Sequence, residues 1–325
     1  MESANITYAE AIRSAIDQAL EKLPEVVVIG QLVDFSPGVF GTTKGLAEKY
    51  GRDRVFDFPI SEGLMTSNAI GMALAGKRPV IVHQRLDFSL YATDALMNWM
   101  SLWRFKSGGE SNLPVTIRLI VGKGWGQGSQ HSKSLYSMFG HLPGIRVGVP
   151  SNPVDAKGML VDSIFGQAPT ILIEPRALFE MESPVPTKIF RTPFGRANLV
   201  SLGERLTLVS LGSEFQLCRR VIDKLPSNTV DVIDLVSIKP LDIETVIQSV
   251  RKTRSLLVVE GDWKTYGIAG EIISLTCETL GTELRHPPVR LAYPDSHTPA
   301  SPSLETLFYV SEADIYTTIT RLCDL

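Results

Sequence analysis

Short runs of β-branched and aliphatic residues, each followed by a stretch of helical periodicity, recur along this chain and leave few folds open to it. In the first half the runs are residues 26–29, 80–82, 116–121 and 170–173. They are mostly apolar at consecutive positions, not alternating, which is the pattern of strands covered on both faces of a parallel sheet. A second set begins at 206–211, continues through 230–235 and 255–259, and closes in a helix near 312–322. The first helix is marked by Thr7 and Glu10 at capping-box spacing, ahead of Ile12, Ala15, Ile16, Ala19 and Leu20 on one face. The alternation predicts an α/β protein made of two doubly wound domains. Pro175, Pro184, Pro186 and Pro193 interrupt it, so the stretch 182–194 reads as a segment crossing between domains. The expected boundaries are 1–183 for the first domain, 184–199 for a linker and 200–325 for the second.

Composition narrows the function classes. The chain has 325 residues, 44% hydrophobic and 21% charged, enough for two full cores. A net charge of −3 gives no basic excess for nucleic acid. No apolar run approaches the roughly 18 residues that a membrane span needs, and no secretory leader pattern opens the chain. Cys218, Cys277 and Cys323 are scattered without CxxC spacing. They read as reduced thiols in a cytoplasmic-type compartment.

Three segments carry candidate chemistry. In Pro59-Ile60-Ser61-Glu62-Gly63, Glu62 follows an expected strand, and ligands of open α/β sheets bind beyond the carboxyl ends of strands. A solvated carboxylate favoured by a helix N-terminus is the simpler account of the same residue. In the stretch 122–132, four glycines precede His131. Such a loop can bring backbone close to a ligand, and histidine is a residue type able to exchange a proton near neutral pH. A flexible surface loop explains it equally well, and the GxxxxGK[ST] phosphate pattern is absent. In His83-Gln84-Arg85-Leu86-Asp87-Phe88, polar groups follow a buried strand. They line a site, or Arg85 and Asp87 pair to hold a loop.

In their order, these segments resemble the β subunit of the decarboxylating component of 2-oxoacid dehydrogenase complexes, a branch of the transketolase superfamily. The resemblance covers nearly the whole chain. It runs through Gly38-Val39-Phe40, Arg54-Val55-Phe56-Asp57, Pro59-Ile60-Ser61-Glu62, the set Gln84, Asp87 and Phe88, and Ser107-Gly108-Gly109. It continues through Gly128-Ser129-Gln130-His131-Ser132, Pro143-Gly144-Ile145, Glu174-Pro175, Pro193-Phe194-Gly195 and Pro240-Leu241-Asp242.

The resemblance implies a pyrimidine-binding-type N-terminal domain, a transketolase-type C-terminal domain, and thiamine diphosphate as cofactor. It implies that Glu62 contacts a ring nitrogen of the aminopyrimidine and drives the tautomer that deprotonates the thiazolium carbon, that Phe88 packs against the pyrimidine, and that His131 lies near the reacting substrate. Gln31 stands on the cofactor side, where many relatives carry an acid. Gln84 and Arg85 stand on the substrate side, Arg85 where relatives are commonly apolar or small.

The Gly-Asp-Gly motif with which thiamine enzymes hold diphosphate and Mg²⁺ is missing. The nearest string, Glu260-Gly261-Asp262-Trp263, lies in the second domain. The resemblance therefore implies no metal ligands in this chain, an α-type partner subunit that holds Mg²⁺, a second β-type chain completing a heterotetramer, and a lipoyl acyltransferase where the acyl group is passed on. Two other expectations stand beside the decarboxylase: ketol transfer or carboligation of split-transketolase type, and a non-catalytic assembly subunit.

Overall fold

The computed structural model describes residues 2–324. Two compact units divide the chain: one runs to Lys123 and resumes over His141–Phe194, the other comprises Gly124–Gly140 and Gly195–Leu325. The glycine-rich loop that bears His131 is thus part of the second unit.

In the first unit, strand β1 (Ser3–Thr7) leads into helix α1 (Tyr8–Lys22). Both halves of the expected capping box form, Thr7 with the Glu10 backbone and the Glu10 carboxylate with the Thr7 backbone. There follow β2 (Val26–Gly30), α2 (Leu46–Tyr50), β3 (Val55–Asp57), α3 (Glu62–Leu74), β4 (Arg78–His83), α4 (Trp103–Lys106) and β5 (Thr116–Val121). After the excursion through the second unit come β6 (Arg146–Gly148), α6 (Pro153–Phe165), β7 (Thr170–Pro175) and β8 (Glu182–Pro186); the short helix α5 (Tyr136–Gly140) belongs to the excursion.

Six strands of this unit form one parallel sheet in the order β6-β7-β5-β4-β2-β3. Strands β2, β5 and β7 are buried along their whole length, as their mostly apolar runs predict. One ion pair sits inside the sheet. Arg118 Nε and Nη2 donate to the two carboxylate oxygens of Glu174 at 2.7 and 2.8 Å, both side chains fully buried.

The proline-rich stretch holds a surprise. Residues Glu182–Pro186 form β8, paired antiparallel with β1 in a separate two-stranded sheet. A two-stranded sheet leaves each strand one unpaired edge, so a proline with no N–H to donate is tolerated there.

The second unit contains β9 (Asn198–Ser201), β10 (Gly203–Ser210), α7 (Gly212–Ile222), β11 (Asn228–Asp234), β12 (Ser237–Lys239), α8 (Ile243–Thr253), β13 (Leu256–Trp263), α9 (Ile268–Leu280), β14 (Val289–Tyr293), α10 (Pro302–Phe308) and α11 (Glu312–Cys323). Its sheet has the order β14-β13-β10-β11-β9, parallel but for the antiparallel edge strand β9. Leu206, Leu208, Phe215, Val232, Leu257, Val259, Ile315 and Ile319 pack into its core. Among the described residues no helix is long and apolar enough to cross a membrane.

Candidate active site

The carboxyl edge of the first unit's sheet gathers most of the residues singled out in the sequence. Asp57, last residue of β3, orders the chain leaving β2: its carboxylate accepts the backbone N–H groups of Leu32, Val33 and Asp34 at 2.9, 2.7 and 3.2 Å. Gln31 is thereby held at the root of a fixed loop. Gln84, one residue beyond β4, donates from Nε2 to the Gln31 carbonyl at 3.0 Å and ties the ends of β2 and β4 together. The Gln31 amide lies within 3.5 Å of the Phe58 carbonyl.

Glu62 is the first residue of α3, after Ser61 as N-cap. It is half-buried and meets the positive end of the helix dipole. The next residue explains how that end can approach its neighbour. A Cβ placed on Gly63 would lie 3.1 Å from the Tyr91 carbonyl oxygen, so glycine lets α3 come close to the 3₁₀ segment Leu86–Ala92. Phe88 lies on that segment, half-buried, and its N–H closes a turn onto the Arg85 carbonyl at 3.2 Å. Ile60 and Tyr91, 84% and 80% exposed, and Leu64, 54% exposed, give this edge an apolar rim.

Arg85 turns toward the loop after β2. Its Nη1 donates to the Gln84 carbonyl at 2.7 Å, and its guanidinium lies 5.0 Å from the centre of the Phe40 ring. Arg176, just past β7, approaches the same ring at 4.4 Å. Burial lowers the pKa of Arg85, the charge of Arg176 lowers it further, and Asp87 partly offsets both. Neither Phe40 nor Arg176 was singled out in the sequence as a site residue. Arg176 does stand directly after Glu174-Pro175 at a strand end, the one signal that would have found it.

His131 lies in the second unit, half-buried, on a loop that folds back on itself: its N–H reaches the Gly128 carbonyl at 3.3 Å, and Lys133 Nζ donates to Ser129 O at 2.7 Å. The string Glu260-Gly261-Asp262-Trp263 sits at the end of β13 of the same unit. Glu260 is fully buried, one oxygen accepting the Ala269 N–H at the start of α9. Burial, and next the Asp262 charge, push its carboxyl up to about 8.

Residues 4–181 match the family model of the transketolase pyrimidine-binding domain, and residues 195–315 match that of the transketolase C-terminal domain. The pyruvate dehydrogenase E1 component subunit beta of Acholeplasma laidlawii is 37% identical over 290 residues, 88% of this chain and 89% of that one. This chain belongs to the E1 β-subunit family of 2-oxoacid dehydrogenases. The 2-oxoisovalerate dehydrogenase subunit beta of Pseudomonas aeruginosa is 35% identical, with 91% of this chain and 89% of that one aligned. For the beta subunit of acetoin:2,6-dichlorophenolindophenol oxidoreductase from Cupriavidus necator the identity is 34%, over 94% of each chain. A solved structure described as a split-gene transketolase, inactive beta4 tetramer, superposes with a TM-score of 0.77 at 22% identity, covering 98% of this chain and 99% of that one. That likeness concerns the fold.

As an E1 β-type chain, the protein is a subunit in the thiamine-diphosphate-dependent branch of the transketolase superfamily. The first unit's edge offers a carboxylate on a helix N-terminus, an aromatic ring on the adjoining segment, and a fully buried Thr66 hydroxyl, one turn after Glu62, with no hydrogen-bond partner among the described residues, a set whose chemistry is compatible with the pyrimidine end of that cofactor.

Proposed function

We propose that this β-type subunit works with an α-type partner to decarboxylate a 2-oxo acid, and that it passes the acyl group on to an acceptor such as a lipoyl carrier. One observation carries the reading: Glu62 opens α3 where Gly63 lets that helix close on the segment of Phe88, inside a rim of exposed apolar side chains. A carboxylate so placed can share a proton with a nitrogen heterocycle laid against the aromatic ring, and a rim of exposed apolar residues suits coverage by a second chain. Bound thiamine diphosphate would supply the carbanion and the electron sink that decarboxylation requires. Glu62 would hold and move the proton at the aminopyrimidine ring nitrogen. Phe88 would orient that ring and exclude water from it. Gln84 and Gln31 would keep the strand ends that frame it in register. His131 would exchange a proton with the reacting substrate or steady its developing charge. Mg²⁺ and the diphosphate would be held mainly by the α-type chain, since no Gly-Asp-Gly motif occurs in this one, and a second β-type chain would complete a heterotetramer.

A second reading has its own observation. Arg85 and Arg176 bring two guanidiniums to one ring with Asp87 as the carboxylate acting on Arg85. A guanidinium binds carboxylate or phosphate at two points. This favours an anionic substrate, including the phosphorylated sugars of ketol transfer. Titration calorimetry separates the two-chain reading from a self-contained enzyme. The isolated chain is expected to bind Mg²⁺–thiamine diphosphate weakly, and tightly only with an α-type partner. Submicromolar binding by the chain alone would overturn the split site. Carbon dioxide release from 2-oxo acids by the reconstituted pair, against transfer from ketose phosphates, decides the reaction.

A further inference from the structure

The loop that carries His131 has no regular structure before α5, yet it is tied down on both sides. Gly126 and Tyr136 lie five residues before and five after His131. The Tyr136 N–H donates to Asp262 Oδ2 at 2.7 Å, while Asp262 Oδ1 accepts the Trp263 N–H at 2.9 Å. The Gly126 N–H donates to Glu305 Oε2 at 3.1 Å, and Glu305 Oε1 accepts the Tyr309 hydroxyl at 3.1 Å. Asp262 and Glu305 are 4% and 5% exposed. Gly126 has φ +64°, and a Cβ there would stand 2.9 Å from the Ala300 carbonyl oxygen, so the loop is pressed onto the segment preceding α10.

We propose that Asp262 and Glu305 are positioning residues which fix the loop of His131, and through it the imidazole, for the reaction proposed above. The inference rests on the reading that His131 acts on the substrate. A buried carboxylate is costly unless its oxygens meet donors. Here one oxygen of each carboxylate accepts a backbone N–H of a loop that no strand pairs with, and backbone N–H to carboxylate bonds are the strong, charge-assisted kind. Ordering the loop in advance spares the reacting complex the entropy of doing so. The Asp262 string, which resembles part of a metal-binding motif, is thereby given a different role: its carboxylate meets backbone donors of its own unit.

The test uses the enzyme reconstituted with its α-type partner and the variants Asp262→Asn, Glu305→Gln, His131→Ala and Asp262→Asn/His131→Ala. Hydrogen exchange followed by mass spectrometry should show faster exchange over 124–140 in each carboxylate variant and unchanged exchange in the strands of both sheets. For Asp262→Asn, kcat should fall about 10- to 100-fold, as expected of lost positioning, with KM for the 2-oxo acid nearly unchanged. In the His131→Ala background the same substitution should cost nothing further. Wild-type exchange over 124–140 in both carboxylate variants, or an equal loss of kcat with and without His131, overturns the proposal. If His131→Ala alone retains full activity, the role of His131 fails, and the positioning role fails with it; the single variant shows which assignment was at fault.

Discussion

Arg118 on β5 and Glu174 on β7, two residues apart in register, form a two-point ion pair between neighbouring strands, at 2.7 and 2.8 Å, with no exposed surface on either side chain. Removing one partner strands the other charge in the core. Arg118→Met is therefore expected to destabilise the protein by about 3–5 kcal/mol, whereas a paired replacement of both residues by apolar side chains of similar volume should cost far less. Urea denaturation of the two single variants and the double variant measures this. Additive losses would show that the pair is not coupled.

His83 ends β4 fully buried, and neither ring nitrogen has a hydrogen-bond partner among the described residues. Burial lowers its pKa from 6.5 to about 4. The unfolded chain then binds a proton that the folded chain refuses, so stability is full above about pH 6.5 and falls as pH drops toward about 4. His83→Leu removes that penalty. The variant should gain on the wild type by about 2 kcal/mol between pH 7 and pH 5, read as a difference in thermal midpoint that widens on acidification. A constant difference across that range would mean that His83 titrates normally.

Arg85 spends its charge beside Phe40 and shares that ring with Arg176. If the two guanidiniums serve an anionic group, Arg85→Leu should raise KM for substrates with a second anionic group by about tenfold, the loss of roughly one charge-assisted hydrogen bond, and leave neutral-tailed 2-oxo acids nearly unaffected. Steady-state kinetics on paired substrates checks this. Equal effects on both classes would assign Arg85 to the loop and not to the substrate.

What the sequence disclosed follows from how local each signal is. Buried strands such as Val26–Gly30 are written in consecutive apolar residues, and the capping box of α1 in residues three apart. Gln84 was legible because the residue after β4 falls at the sheet's carboxyl edge, and Glu62 because it opens the helix that follows β3. Strand β8 was hidden by its prolines, because its partner β1 lies at the far end of the unit's sequence. Contacts over long separations left no pattern: Glu174 is 56 residues from Arg118, and Asp262 is 126 from Tyr136. The inclusion of 124–140 in the second unit depends on such contacts.

In the proposed reaction Glu62 shares a proton with the cofactor's aminopyrimidine. Glu62→Gln keeps the size and the hydrogen bond but cannot exchange that proton. Neutralising an ordinary helix-start carboxylate would cost at most about 1 kcal/mol of stability and little activity, whereas losing a general acid–base group typically costs about 10²–10⁴-fold in rate. Hydrogen–deuterium exchange at the thiazolium carbon, followed in the reconstituted complex, reads the step directly. The variant should assemble normally and exchange slower by about 10²-fold or more; exchange at the wild-type rate would contradict the assignment of Glu62.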